Sequence, residues 1–565
     1  MNRLIIALSI LFTYSVSQAC TNFLITKGAS HDGSTMISYN ADSHTLYGEL
    51  YHWPAATYPE GTMLDIYDWD SGKYLGKIKQ VLETYNVVGN MNEYQVAIGE
   101  TTFGGLKELH HQKDAIIDYG SLMYIALQRS KSAREAVKII AELLAEYGYA
   151  SHGESFSIMD KNEVWVMEMV GKGEFGKGAL WVARLIPDGY ISAHANQARI
   201  QKFPLKYKNG GISSDELDKI FDPKVNTVYA ADVIDFAMQH GFYKGRKKDF
   251  SFSDVYAPVD FGGARFCESR VWSMFRQVNS DMDKYESYAM GFDLKNRMPL
   301  FIKPDRKISL KNMIAFMGDH FEGTKMDFRN DPGAGAFGLP YRWRGLTWKV
   351  DDVEYFNERS TSTQQTGFTF VAQGRNNYED PIGGILWFGV DDSYFTVYNP
   401  IFCGVLSVPK SYRKGFGNMM QFEPDAAFWV FNQVSNLAYT RYSYIAPFVK
   451  EEQERIENKF MKSIDIISEA ANKLYKVDKE LGLQYITDYS VTQADNTVQI
   501  WKELYKFLFV KFVDGNIKKT EGKKFIDNGN GKNIPAYPDQ PGYSKEVYKE
   551  IIKETGDRYK MRSTK

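Results

Sequence analysis

The sequence predicts an α+β protein in which layered sheets are covered by helices and a mainly helical extension closes the chain. Three observations carry this. Short β-rich segments recur between Thr21 and Val390. Helical stretches interrupt them between Tyr119 and Leu144, so the order is strands, helices, strands. From Pro424 onward the apolar pattern turns helical.

Taken in order, the chain opens with a short positive start, Met1-Asn2-Arg3, then an apolar run from Leu4 to Phe12. Ser17 and Ala19 are the small residues a signal peptidase requires, three places and one place before its cut. The pattern predicts a signal peptide over 1–19 and an exported chain, periplasmic or extracellular, that begins at Cys20 with a free α-amine beside its thiol. A lipid-anchored cysteine is disfavoured, because Ser17 stands where a lipobox carries an aliphatic residue. A disulfide half-cystine stays open for Cys20 at this point.

Thr21 to Thr26 reads as a strand, Asp32-Gly33 as a tight corner and Thr35 to Tyr39 as the return strand, ending at Asn40-Ala41-Asp42. This hairpin carries Asp42 back towards Cys20. Tyr85 to Gly89 and Val96 to Ile98 repeat the short-strand pattern, and the polar, glycine-flanked stretch Gly99 to Gly105 suits a pocket wall. Helices follow over Tyr119 to Arg129 and after Ser132, where Ser132-Ala133-Arg134-Glu135 reads as a capping box. Strands are expected over Phe156 to Asp160, Val164 to Val170, Leu180 to Leu185, Tyr190 to His194, Thr363 to Arg375 and Gly383 to Val390. Asp331 to Trp348 is too rich in Gly, Pro and Trp for a regular element. Pro424 suits a first helical turn, and the clearest later helices are Glu451 to Lys479 and Val491 to Phe512. The helical tail could cover the sheets or build a homo-oligomer contact.

A net charge of −2 gives no reason to expect nucleic acid as a partner. After the leader no apolar stretch approaches the roughly 20 residues of a membrane-spanning helix, so a soluble mature chain is expected. Three cysteines do not make a disulfide scaffold; Cys267 and Cys403 could pair, although their aromatic neighbours favour buried thiols.

For chemistry, HExxH, paired CxxC, a phosphate loop and a GxSxG elbow are absent, and neither a metal nor an organic cofactor is expected. Glu108-Leu109-His110-His111 reads as a surface helix entry. A cysteine–histidine dyad would need His152 or His194 near Cys20, and spacing places neither. The terminal residue offers a complete alternative. Its α-amine, with a pKa of about 7.7–8.0, can accept the thiol proton while the sulfur attacks a carbonyl. An oxyanion donor is typically worth roughly 2.7–4 kcal/mol of barrier. Asn196, at a strand end, is the first candidate for it and Thr101-Thr102 the second; a loop-capping amide is an equal reading of Asn196.

The stretches CTNFLITKGASHDGSTMISYNADS, NEYQVAIGETT, ISAHANQARI, GARFCESRVWS, DPGAGAFGLPYRWRGLTW and QQTGFTFVAQ together resemble the secernin-type dipeptidases, cysteine members of the N-terminal nucleophile (Ntn) hydrolases. The likeness runs from Cys20 to about Cys403. It implies a four-layer αββα sandwich over 20–423 followed by a helical extension over 424–565, with Cys20 as nucleophile, Asp42 beside it and Asn196 supporting the oxyanion hole. The substrate it implies is a short peptide, above all a dipeptide. Related acylases and many dipeptidase relatives carry Arg where this chain has Tyr39; Arg265 or Arg270 could supply that charge instead. An N-acyl amide substrate on the same fold is the nearer alternative reading, and a lipid-anchored binding protein the more distant one.

Overall fold

The computed structural model describes residues 20–343 and 345–562; the predicted leader, 1–19, lies outside them. The chain is mixed α and β, with two large sheets and a helical C-terminal region. The first sheet has seven strands, ordered Phe301–Ile302, Ile191–His194, Asn22–Ile25, Thr35–Asp42, Thr366–Gly374, Ile385–Val390 and Asn399–Phe402, all paired antiparallel. The second has nine, running Gly211–Ser213, Thr227–Tyr229, Ala179–Leu185, Val164–Gly171, Gly153–Met159, Ala97–Phe103, Met91–Asn92, Val87–Val88 and His52–Trp53. The predicted hairpin is central to the first sheet. Gly33 takes its corner at φ 75°, a conformation glycine adopts without Cβ strain.

Alternation along the strands decides what each face meets. Phe23 points to the helix Leu310–Met317, where its ring lies edge-on to Phe316 with centroids 6.1 Å apart. Asn22 and Tyr39 point the other way, to Gly99 of the nine-stranded sheet. A Cβ on Gly99 would stand 2.3 Å from Asn22 Oδ1, so the sheets approach here only because that residue has no side chain. The helices Tyr119–Arg129 and Ala133–Tyr147 pack on the nine-stranded sheet.

Differences from the sequence reading have local causes. The box at Ser132 closes one residue early: Ser132 accepts from the Glu135 amide, while the Glu135 carboxylate accepts from Lys131 N at 2.7 Å. The strand expected over Tyr85 to Gly89 is split into Glu83–Thr84 and Val87–Val88, because Asn86 between them donates to the Cys403 and Val405 carbonyls. Pro424 precedes its helix rather than opening it, and the helices run Ala427–Thr440, Tyr442–Val477 and Lys479–Phe512. They pack on one another and on the strands Ile385–Val390 and Asn399–Phe402, with Trp501 fully buried and stacked on Phe431. Cys267 and Cys403 are free thiols, and no helix among the described residues is long and apolar enough to cross a membrane.

Candidate active site

The hairpin register places Cys20 at the head of the first strand, where Thr21 pairs with Asn40 through reciprocal backbone hydrogen bonds. Its sulfur points between the sheets. Cys20 is buried, with Sγ 3.6 Å from Glu100 Oε1 and 3.7 Å from the Tyr39 hydroxyl, and the Tyr39 hydroxyl itself donates to Glu100 Oε1. Burial pushes the thiol well above its usual pKa and the Glu100 and Asp42 carboxylates add to this; hydrogen bonds from the Asp42 backbone and Tyr39 oppose it.

Asp42 lies where the register of its strand shifts against Thr366–Gly374. Its carboxylate is buried and held from both sides, by Arg359 at 2.8 Å and by the Thr366 hydroxyl at 2.6 Å. Burial nevertheless raises its pKa, against the pull of Arg359 and Thr366. Asn196 follows the strand Ile191–His194 and turns the chain at φ 59°, one of the left-handed conformations that asparagine tolerates. Its Nδ2 donates to the Thr102 carbonyl at 2.6 Å and its Oδ1 accepts from Arg270 at 2.9 Å.

Arg270 ties these pieces together. It is fully buried at the start of the helix Ser269–Val278, just after a wide-turn π segment over Gly263–Glu268. One terminal nitrogen donates to the Cys20 carbonyl at 2.6 Å and to the Thr21 hydroxyl at 2.7 Å, and the other reaches Asn196 and the Ala195 carbonyl. Burial lowers its pKa to about 10. Arg270 therefore reaches the backbone of Cys20, whereas Arg265 pairs with Glu358 at 2.5 Å.

The remaining candidates sort themselves by their hydrogen bonds. His194 has both ring nitrogens engaged, by the Thr101 and Ser157 hydroxyls at 2.7 Å each, and burial pushes its pKa down to about 3, so it is a neutral structural residue. His152 stacks on His110 with ring centroids 4.4 Å apart. Thr101 is spent on His194, and the Thr102 hydroxyl donates to Glu154. Sequence reasoning missed Glu100, Glu154 and Arg359. Glu100 lies in a polar strand end, and the alternation that turns Gly99 and Thr101 to the seven-stranded sheet gives no signal that its carboxylate reaches Cys20; Arg359 has no periodic signal, standing in an irregular run before a strand.

Beside this cluster opens a cavity of about 1400 Å³. Asn196, Arg270, Arg359 and Thr366 line its inner end, the loop Phe103 to Leu106 one side, and Phe428, Trp429 and Asn432 of the C-terminal helix Ala427–Thr440 another.

Residues 19–455 match the family described as Peptidase family C69. Among curated proteins, the chain is similar to a probable dipeptidase of Latilactobacillus sakei, 24% identical over 418 residues, which covers 70% of this chain and 76% of that protein. A probable dipeptidase B of Lactococcus lactis subsp. lactis is 24% identical over 429 residues, 73% of this chain and 79% of the relative. Dipeptidase A of Lactobacillus helveticus is 22% identical over 517 residues, 85% of this chain and 95% of the relative.

Proposed function

Because the chain belongs to peptidase family C69 and is thereby a peptide-bond hydrolase, we propose that it is a dipeptidase whose nucleophile is the thiol of Cys20. In this reading export removes 1–19 and frees the Cys20 amine in the periplasm or outside the cell. The observation that carries it is the grip of Arg270 on both the Cys20 carbonyl and Asn196 at the inner end of the cavity. The facing sheets with helices packed on each support reading 20–423 as the αββα sandwich of an Ntn hydrolase, with 424–565 as its helical extension.

The thiol loses its proton, the α-amine serving as base, and the sulfur attacks the peptide carbonyl. Charge then develops on the carbonyl oxygen. Asn196 supports it from the cavity wall, and a preorganised donor there needs no rearrangement as the charge appears. The C–N bond breaks, the amine product leaves, and water releases the acyl group from sulfur. Asp42, fixed by Arg359 and Thr366, orients the nucleophile through its backbone.

Cys20→Ala is expected to abolish hydrolysis of dipeptides while circular dichroism stays unchanged, and N-terminal sequencing of the exported protein is expected to begin at Cys20. A Cys20→Ala enzyme with its rate intact would sink the mechanism, and a different first residue would sink the maturation step. Acyl-amino acids assayed in parallel separate this reading from an acylase.

A further inference from the structure

Among the described residues that line the cavity, two carry carboxylates, Asp260 and Glu358. Glu358 is already neutralised: Arg265 donates to both of its oxygens, through Nε at 3.0 Å and through a terminal nitrogen. Asp260 is exposed, and no described Lys, Arg or His pairs with it. Its carboxylate is nevertheless held in one place. Oδ1 accepts from the Gly263 N–H at 2.7 Å, where the π segment Gly263–Glu268 begins.

Gln197 directly follows Asn196 and lines the same cavity. Its Nε2 donates to the Ala257 carbonyl at 2.7 Å, which fixes the amide and leaves Oε1 turned to Gly263. A Cβ on Gly263 would stand 2.4 Å from Gln197 Oε1 and 3.5 Å from Asp260 Oδ1. The two oxygens therefore flank the bare Cα of Gly263, and any side chain there would fill the gap between them. A group with several N–H donors lying over this glycine reaches both at about 2.7–3.2 Å. One oxygen belongs to an oriented amide and the other to a carboxylate without a cation. Such a pair suits a small cation.

We propose that Asp260, together with Gln197 Oε1, forms the subsite that receives the α-ammonium group of the dipeptide and so determines specificity. The inference rests on the dipeptidase reading and deepens it. In a dipeptide the ammonium nitrogen stands two bonds from the scissile carbonyl carbon, about 2.5 Å away. A carbonyl oxygen supported by Asn196 thus brings the ammonium to the next residue along the wall, Gln197, with Asp260 across Gly263 from it. A charge-assisted hydrogen bond forms there only when the amine is free. A substrate whose amine is acylated or missing leaves the carboxylate without a partner. The subsite thereby selects free dipeptides over N-acyl amino acids of the same length.

The test measures kcat and KM of the exported enzyme and of Asp260→Asn for a cleaved dipeptide and its analogue without the amine, such as dialanine and propionyl-alanine. Asparagine keeps an oxygen for the Gly263 N–H and removes the charge, so melting curves of parent and variant should coincide. The parent should prefer the dipeptide by about 10-fold or more in kcat/KM, the range of a hydrogen bond to a charged group. Asp260→Asn should lose most of that preference through a raised KM for the dipeptide, with kcat little changed and the analogue handled as by the parent. A variant that keeps the parent's preference overturns the inference. An equal loss on both substrates overturns it too, since that marks a role in structure alone. A parent that prefers the analogue strikes instead at the dipeptidase reading, so the two failures are distinguishable.

Discussion

Asp42 carries its side chain entirely inside the protein, and Arg359 is the cation set against it. Such a pair contributes little over an apolar substitute, but removing one partner strands the other charge. Arg359→Ala is therefore expected to destabilise the protein by about 3–5 kcal/mol, measured by urea unfolding; a midpoint unmoved from the parent would show that Asp42 does not depend on this partner. The same pair marks the limit of what the sequence discloses. The residue pattern before it singles out Cys20, and the hairpin returns Asp42 to the same end. Arg359 is over three hundred positions away in an irregular run, and only the closing of the sheet between Thr35–Asp42 and Thr366–Gly374 brings it in. Arg270 was visible only as one of the cations near Cys267; its direction comes from the π segment that precedes its helix.

At the scale of elements, the spacing of the sheets near the thiol depends on Gly99. Gly99→Ala would press a methyl group on Asn22 Oδ1, and Asn22 Nδ2 donates to the Glu100 carbonyl at 2.6 Å, so the strain reaches both strands that bear the site. The expected cost is about 1–3 kcal/mol, as for other overpacked cores; thermal melting checks it, and an unchanged midpoint would mean the sheets can part there freely. Strands and helices with a clear period, such as Tyr119–Arg129 and Val164–Gly171, were legible almost to their ends. The long C-terminal helices were not: Tyr442–Val477 opens on Tyr-Ser-Tyr-Ile with Pro447 in its second turn, and Lys479–Phe512 carries Gly482 in its first turn. Packing on the sheet, not local preference, makes those turns helical.

Across the whole molecule, the helical extension is bonded into the sheet it covers. Glu457, in the helix Tyr442–Val477, is buried and accepts from the backbone N–H of Tyr398 at 3.2 Å. Burial pushes its pKa from the ordinary 4.5 up to about 7. The folded state thus keeps a proton that the unfolded chain releases in that interval. The stability this group confers is complete below 4.5 and is lost as pH rises through about 7, with a slope of about 1.4 kcal/mol per pH unit for one proton. Glu457→Gln should flatten that decline in a series of melting curves, and parallel curves for parent and variant would rule it out. The extension also walls the cavity through Phe428, Trp429 and Asn432.

Among the described residues, Arg270 grips the Cys20 carbonyl, and Glu100, Tyr39 and the Asp42 backbone meet its sulfur; none of these contacts runs through its nitrogen. A cut at that nitrogen would sever one amide bond and leave every one of these anchors in place. If the chain matures by such a cut, as proposed, ripening needs no rebuilding, because these contacts stand assembled beforehand.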